Sequence, residues 1–126
     1  MNNLARWYAY VADHDHAALW RMLHPDAVFE SPVVHTPQRG RDLVFKYLCS
    51  ADAVLGGSDF AYCGAWSSDS SAVLEFTSIV DGIKVNGIDM ITWDAGGAIT
   101  HFKVMVRPLK AIELLHRKMG EMLAAA

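Results

Sequence analysis

Helices early in the chain and antiparallel strands late in it predict an α+β fold, with helices packed on one face of a curved sheet. Three observations carry that class. The stretch from Leu74 to Pro108 reads as three strands of alternating residues. Asp81-Gly82 and Asp94-Ala95-Gly96-Gly97 divide them, and glycine there supplies the positive φ that tight hairpin turns demand. Upstream, apolar residues recur at helical spacing in three separate segments.

Taken in order, Leu4, Trp7, Tyr8 and Val11 recur at i, i+3, i+4 and i+7, so they line one face of a first helix. Asp13-His14-Asp15 breaks it, and Asp15 caps a second helix striped by Leu19, Met22 and Leu23. Pro25 lies past its end. Ala27 to His35 forms a first strand with Phe29, Ser31, Val33 and His35 on one face. Pro32 places that strand at an edge or makes it leave the sheet. Gly40 releases a third helix, from Asp42 to about Val54, which Gly56-Gly57 ends. Phe60, Tyr62, Gly64 and Trp66 alternate in the next strand. After the three-stranded meander, Pro108 starts a final helix with Leu109, Ile112, Leu115, Met119, Met122 and Leu123 as its apolar stripe. Only the Ala-rich tail is expected to fray.

The meander fixes a register. If Val80 faces Ile83 across the first turn, Leu74 falls opposite Asp89; if Trp93 faces Ala98 across the second, Phe102 falls on the other side of Asp89. With a side-chain period of two, Leu74, Phe76, Val80, Val85, Asp89, Ile91, Trp93, Phe102, Val104 and Val106 share one face. One carboxylate therefore sits in an apolar row. That face is too apolar for solvent and must lie against the helices or enclose a cavity with them. With no Lys or Arg on the row, burial should raise the Asp89 pKa; a salt bridge to Arg6 or Arg41 from a helix would reverse that sign. The opposite face carries Ile88, Met90, Ile99 and Met105 among polar residues, the mixture of a subunit interface.

Composition narrows the classes. The 126 residues suit one domain, 1–126, and 52% hydrophobic with 20% charged is globular. A net charge of -3 with no basic run leaves no electrostatic footprint for nucleic acid or an anionic membrane. No apolar run reaches transmembrane length, and the N-terminus lacks the pattern of a signal peptide, so a cytoplasmic location is expected. Cys49 and Cys63 lack metal or redox spacing and are expected as reduced, buried thiols. His14, His16 and His24 straddle two helix ends with no metal spacing and are expected at the surface. Gly96-Gly97 is turn chemistry, since no helix follows it to hold a phosphate. No cofactor or metal is expected.

The segments HPDAVFESPVVHTPQRGRD and VDGIKVNGIDMITWDAGGAITHFKVMVRPL resemble the nuclear transport factor 2-like superfamily in its SnoaL-like branch, over nearly the whole chain. That resemblance implies a cone of bent sheet and helices, closed enough to hold a small apolar molecule, and a homodimer. It implies no single chemistry, because the fold hosts isomerases, epoxide hydrolases, cyclases and non-enzymatic binders. Ketosteroid isomerases need a base Asp and an oxyanion hole made by a Tyr and a protonated Asp. Asp89 matches the protonated Asp, Ser31 stands where the base would be, and Glu30 beside it points to the other face. Trp7 takes the place of the oxyanion Tyr, with Tyr8 next to it. The Asp-Arg-Asp set of limonene-type epoxide hydrolases finds no Arg on the pocket-facing row. A cyclase of the SnoaL type needs mainly one acid-base group in an apolar cavity, which Asp89 with His35 would supply.

The residues thus point to a small domain binding a largely apolar molecule in an internal cavity. Asp89 and His35 are the candidate acid-base groups, and Trp7, Tyr8, Ser31, Phe76, Ile91, Trp93 and Phe102 the candidate lining. The alternatives are an isomerase, cyclase or lyase acting through Asp89, and a protein-association module.

Overall fold

The computed structural model describes residues 2–125. In chain order the elements are α1 (Asn3–Asp13), α2 (His16–Met22), β1 (Leu23–Glu30), β2 (Gln38–Arg39), α3 (Arg41–Leu55), β3 (Ala61–Ser67), β4 (Ser71–Val80), β5 (Ile83–Trp93), β6 (Ile99–Arg107) and α4 (Leu109–Ala125). The six strands form one sheet in the order β2-β1-β6-β5-β4-β3. Every neighbouring pair is antiparallel except β1 and β6, which run parallel. Helices cover its inner face, giving the mixed α+β cone. Among the described residues no helix is long and apolar enough to cross a membrane.

Local chemistry sets the boundaries. Asn2 caps α1 by accepting from the Ala5 amide, and Asp15 caps α2 through the Ala17 and Ala18 amides. The turn after β4 has φ of 50° at Asp81 and 77° at Gly82, the double positive φ of a type I′ hairpin. Asp94 closes the next turn by accepting the Ala98 amide on its side chain.

The β4–β5 register is the expected one, with Val80 opposite Ile83 and Leu74 opposite Asp89. The β5–β6 register differs by two residues, so Val104 and not Phe102 lies opposite Asp89, while Phe102 faces Ile91. One residue comes from the turn, which pairs Trp93 with Ile99 and not with Ala98, so that Ile99 points inward and is fully buried instead of joining the outer face; the other comes from a bulge between Thr92 and Trp93. A second bulge, between Tyr62 and Gly64, keeps Tyr62 on the inner face and sends Trp66 outward, where it is 62% exposed. It also leaves Cys63 exposed; both cysteines are free thiols. The first strand ends at Glu30, so Ser31 to Pro37 is irregular and His35 lies in an exposed loop.

The buried set joins Trp7, Tyr10, Leu19 and Met22 of the first helices to Phe29, Leu74, Phe76, Ile91, Trp93 and Phe102 of the sheet. On α1 the buried face is rotated toward Tyr10, and Tyr8 is left 36% exposed. On α4 the buried residues are Ala111, Leu114 and Leu115; Leu109 and Met122 of the expected stripe are exposed. That helix continues to Ala125 without fraying, and Ala126 lies outside the described residues.

Gly87 in β5 is required by packing. A Cβ there would lie 2.6 Å from the Met105 carbonyl oxygen and 2.6 Å from the Phe76 ring, which occupies that space. Gly87→Ala is therefore expected to cost about 1–3 kcal/mol, as overpacking of a tight interior does. Thermal unfolding followed by circular dichroism should show a drop of several degrees.

Candidate functional site

A pocket of about 570 Å³ opens between the inner sheet face and the helices. That size suits a drug-sized molecule. Its walls are aromatic and aliphatic, and Asp89 reaches them from the middle of β5. The carboxyl is 8% exposed, and its cross-strand neighbours Leu74 and Val104 offer it no hydrogen bond.

One polar chain reaches it. The Tyr62 hydroxyl donates to Asp89 Oδ2 at 2.5 Å, and the Trp7 indole Nε1 donates to the Tyr62 oxygen at 3.0 Å. Tyr62 arrives from β3, and its ring packs edge-on against Phe60, which stacks on Phe76. Trp7 is held in turn by Tyr10 and Phe102 at centroid distances of 5.2 and 5.0 Å. A three-residue relay, from α1 through β3 to β5, thus holds the carboxyl in one orientation.

Its electrostatics follow from burial. Among the described residues no cation offsets the charge: Arg6 donates to the Gly97 carbonyl, and Arg41 donates to the Leu23 carbonyl and lies over Trp20. Burial therefore pushes the Asp89 pKa up to about 7, only partly opposed by the Tyr62 hydrogen bond. Burial and the adjacent Asp89 charge push the Tyr62 phenol far up, so it stays a neutral donor. Near neutral pH the pair holds one exchangeable acid proton in an apolar enclosure.

Of the residues singled out from sequence, Asp89, Trp7, Tyr8, Ser31, Phe76 and Phe102 line the pocket. Ile91 and Trp93 do not; they are buried further along β5, toward the end where Arg6 pins the start of α1 to the β5–β6 turn. His35 does not either, because its strand ends five residues too early. Glu30 faces away from the pocket and accepts from His101 Nε2 at 2.6 Å; that bond lowers its pKa. Ser31 spends its hydroxyl as an acceptor for the Val33 and Val34 amides.

Several polar groups of the lining were missed, Tyr62, Tyr10 and Asp52 among them. Tyr62 was placed in its strand, but only the β3–β4 pairing, shifted by a bulge, brings it to Asp89. His14 is exposed, as expected, and also lines the pocket beside Asp52. Among the described residues no group of three or more His, Cys, Asp or Glu side chains is placed to hold a metal ion.

A raised carboxyl pKa has a signature in stability. Between the unfolded value near 4 and the folded value near 7 the native state binds the extra proton, so stability falls as pH rises across that window and levels off above it. The expected slope is up to about 1.4 kcal/mol per pH unit, and Asp89→Asn should abolish it. Urea unfolding of both proteins from pH 4 to 8 checks this. Parallel pH profiles would mean that Asp89 ionises normally.

Comparison with known proteins fits this geometry. The profile of the SnoaL-like domain matches residues 4–102. A steroid delta-isomerase from Pseudomonas aeruginosa has 42% identity and a TM-score of 0.92, with 98% of this chain and 90% of that one covered. An uncharacterised protein with a cystatin-like fold from Silicibacter pomeroyi DSS-3 has 30% identity and a TM-score of 0.87, covering 94% and 83%. A hypothetical protein with a ketosteroid isomerase-like fold from Catenulispora acidiphila DSM 44928, solved with trimethylamine, has 15% identity and a TM-score of 0.63 over 87% and 88%, a likeness of fold alone. No curated protein matches the chain. With its profile match, its cone of sheet and helices and its relatives in hand, the chain belongs to the SnoaL-like domain family of the nuclear transport factor 2-like superfamily.

Proposed function

We propose that the pocket is a binding cavity for a small, largely apolar molecule carrying one carbonyl oxygen, which Asp89 receives in its protonated form. The observation that carries this reading is the uncompensated buried carboxyl, with a pKa near 7, in an otherwise apolar pocket. A neutral carboxylic acid donates a hydrogen bond that a carboxylate cannot. Tyr62 and Trp7 fix its direction, so little ordering is needed when a ligand arrives. The 42% identical relative is named a steroid delta-isomerase, which makes a rigid steroid ketone the natural probe.

A second reading is catalysis, an isomerase, cyclase or lyase step in which Asp89 acts as acid or base. That relative's name favours it. Against it stands Ser31, which occupies the place of the base and whose hydroxyl is already an acceptor for two backbone amides. Binding is therefore the primary reading. Conversion of 5-androsten-3-one to its conjugated isomer, followed by ultraviolet absorbance, would reverse that order.

We also propose that two copies of the chain associate through the outer sheet face. Trp66, Ile79 and Met105 are exposed there at 62%, 46% and 51%, beside the half-buried Ile88 and Met90. Light scattering at micromolar concentration should give the mass of a dimer, and Met105→Lys should shift it toward the monomer.

For the cavity, titration with 4-androsten-3-one should quench tryptophan fluorescence. Asp89→Asn and Tyr62→Phe should each weaken binding by about tenfold, in the range of one charge-assisted or buried hydrogen bond. Affinity should fall about tenfold per pH unit above 7, where the donor proton is lost. Binding indifferent to both pH and Asp89→Asn would exclude Asp89 as the ligand's anchor.

A further inference from the structure

The pocket has a second polar end. His14 is the C-cap of α1, and its Nδ1 lies 2.8 and 2.9 Å from the two carboxylate oxygens of Asp52 on α3. A carboxylate only accepts, so Nδ1 carries a proton, and in the tautomer with that single ring proton Nε2 is left as an acceptor. Among the described residues Nε2 makes no hydrogen bond. His16 Nε2 approaches the same carboxylate at 3.5 Å, which further fixes Asp52. His14 and Asp52 both line the pocket, and the His14 side chain is 44% exposed, which places the pair at the rim.

Two further observations point to a ligand. Tyr10 lines the pocket and is 4% exposed, and its hydroxyl lies close to the Asp52 carboxylate without forming a well-aligned hydrogen bond to it. A buried hydroxyl left without a full partner costs stability unless something satisfies it. Burial first, and the Asp52 charge second, push its pKa far up, so it remains a proton donor. His14 also holds φ 55° and ψ 31°, the left-handed region where glycine is the cheap residue at a helix end. A histidine kept in a conformation better suited to glycine is a side chain retained for what it does.

We propose that His14, oriented by Asp52, and Tyr10 form a hydroxyl-recognising subsite at the far end of the pocket from Asp89. The subsite offers one acceptor and one donor, and an alcohol is the group that both gives and takes a hydrogen bond. An anionic group is disfavoured beside the Asp52 carboxylate. Trp7, which anchors the Asp89 relay, and His14 are seven residues apart, about 10 Å at the helical rise. The ligand class is therefore an elongated, rigid, apolar molecule with a carbonyl at one end and a hydroxyl at the other. This rests on the binding reading above and adds to it the second functional group.

Testosterone and 4-androsten-3-one differ only in the hydroxyl at the end remote from the ketone, and their affinity ratio is the readout. In the wild type testosterone should bind about three- to tenfold more tightly, the range of one net hydrogen bond. His14→Gly, which suits the left-handed backbone, and Tyr10→Phe should each bring the ratio to about one. Asp89→Asn should weaken both ligands and leave the ratio in place. A wild-type ratio of one, or a ratio that survives both His14→Gly and Tyr10→Phe, overturns the subsite while leaving the Asp89 reading intact. Melting curves decide independently of any ligand. Tyr10→Phe and His14→Gly should melt no lower than the wild type, and a fall of several degrees in Tyr10→Phe would make that hydroxyl structural and overturn the proposal.

Discussion

A carboxyl group in an apolar enclosure is unstable as a charge and needs at least one partner as an acid. Asp89 meets both conditions through a single bond, the Tyr62 hydroxyl donating at 2.5 Å. Much of the pocket's geometry serves that bond. Gly87 leaves room for the Phe76 ring, Phe76 stacks on Phe60, and Phe60 backs the Tyr62 ring. Trp7 then joins α1 to the same point. Replacing the acid by a well-packed apolar residue would generally be tolerated or even stabilising. Retaining it in the wall of an open pocket is a sign of chemistry directed at a ligand.

The two polar ends of the pocket are built differently. Asp89 is sealed among strands, where rigidity is highest and the dielectric low, so its proton affinity is set by burial. His14 and Asp52 sit where two helix ends meet and remain partly in water. The inner end is suited to a strong, pH-dependent contact and the outer one to discrimination by shape and hydrogen bonding. Phe29, Tyr47, Leu48 and Phe102 supply aromatic and aliphatic wall to the same pocket.

Much of this was legible in the chain because a two-residue hairpin turn transmits register directly. Asp81-Gly82 fixes Leu74 opposite Asp89 whatever the rest of the protein does, and the inward row on β4 and β5 follows. Bulges are not legible in this way. The one near Thr92, together with a turn one residue longer than expected, moved Phe102 two residues away from Asp89, and the one at Cys63 concealed that Tyr62 belongs beside it. The loop after Glu30 misled for a related reason: alternation continues in the sequence to His35, but the strand stops, and nothing periodic marks the stop. Contacts between helix ends, such as His14 with Asp52, depend on tertiary docking and leave no periodic trace. The parallel pairing of β1 with β6 is likewise a product of the whole fold.

That last pairing has a consequence for how the protein comes into being. Phe29 on β1 sits beside Phe102 on β6, so one wall of the pocket joins the two ends of the chain's course. The β4–β6 meander can assemble from neighbouring segments, but this wall must wait for a long loop to close, the slow step in chains with distant contacts. During synthesis the meander can form before the enclosure does. The Asp89 carboxyl would then spend its early life hydrated and ionised. It would acquire its proton only when the first helices and β1 close over it, so enclosure and proton uptake are a single event.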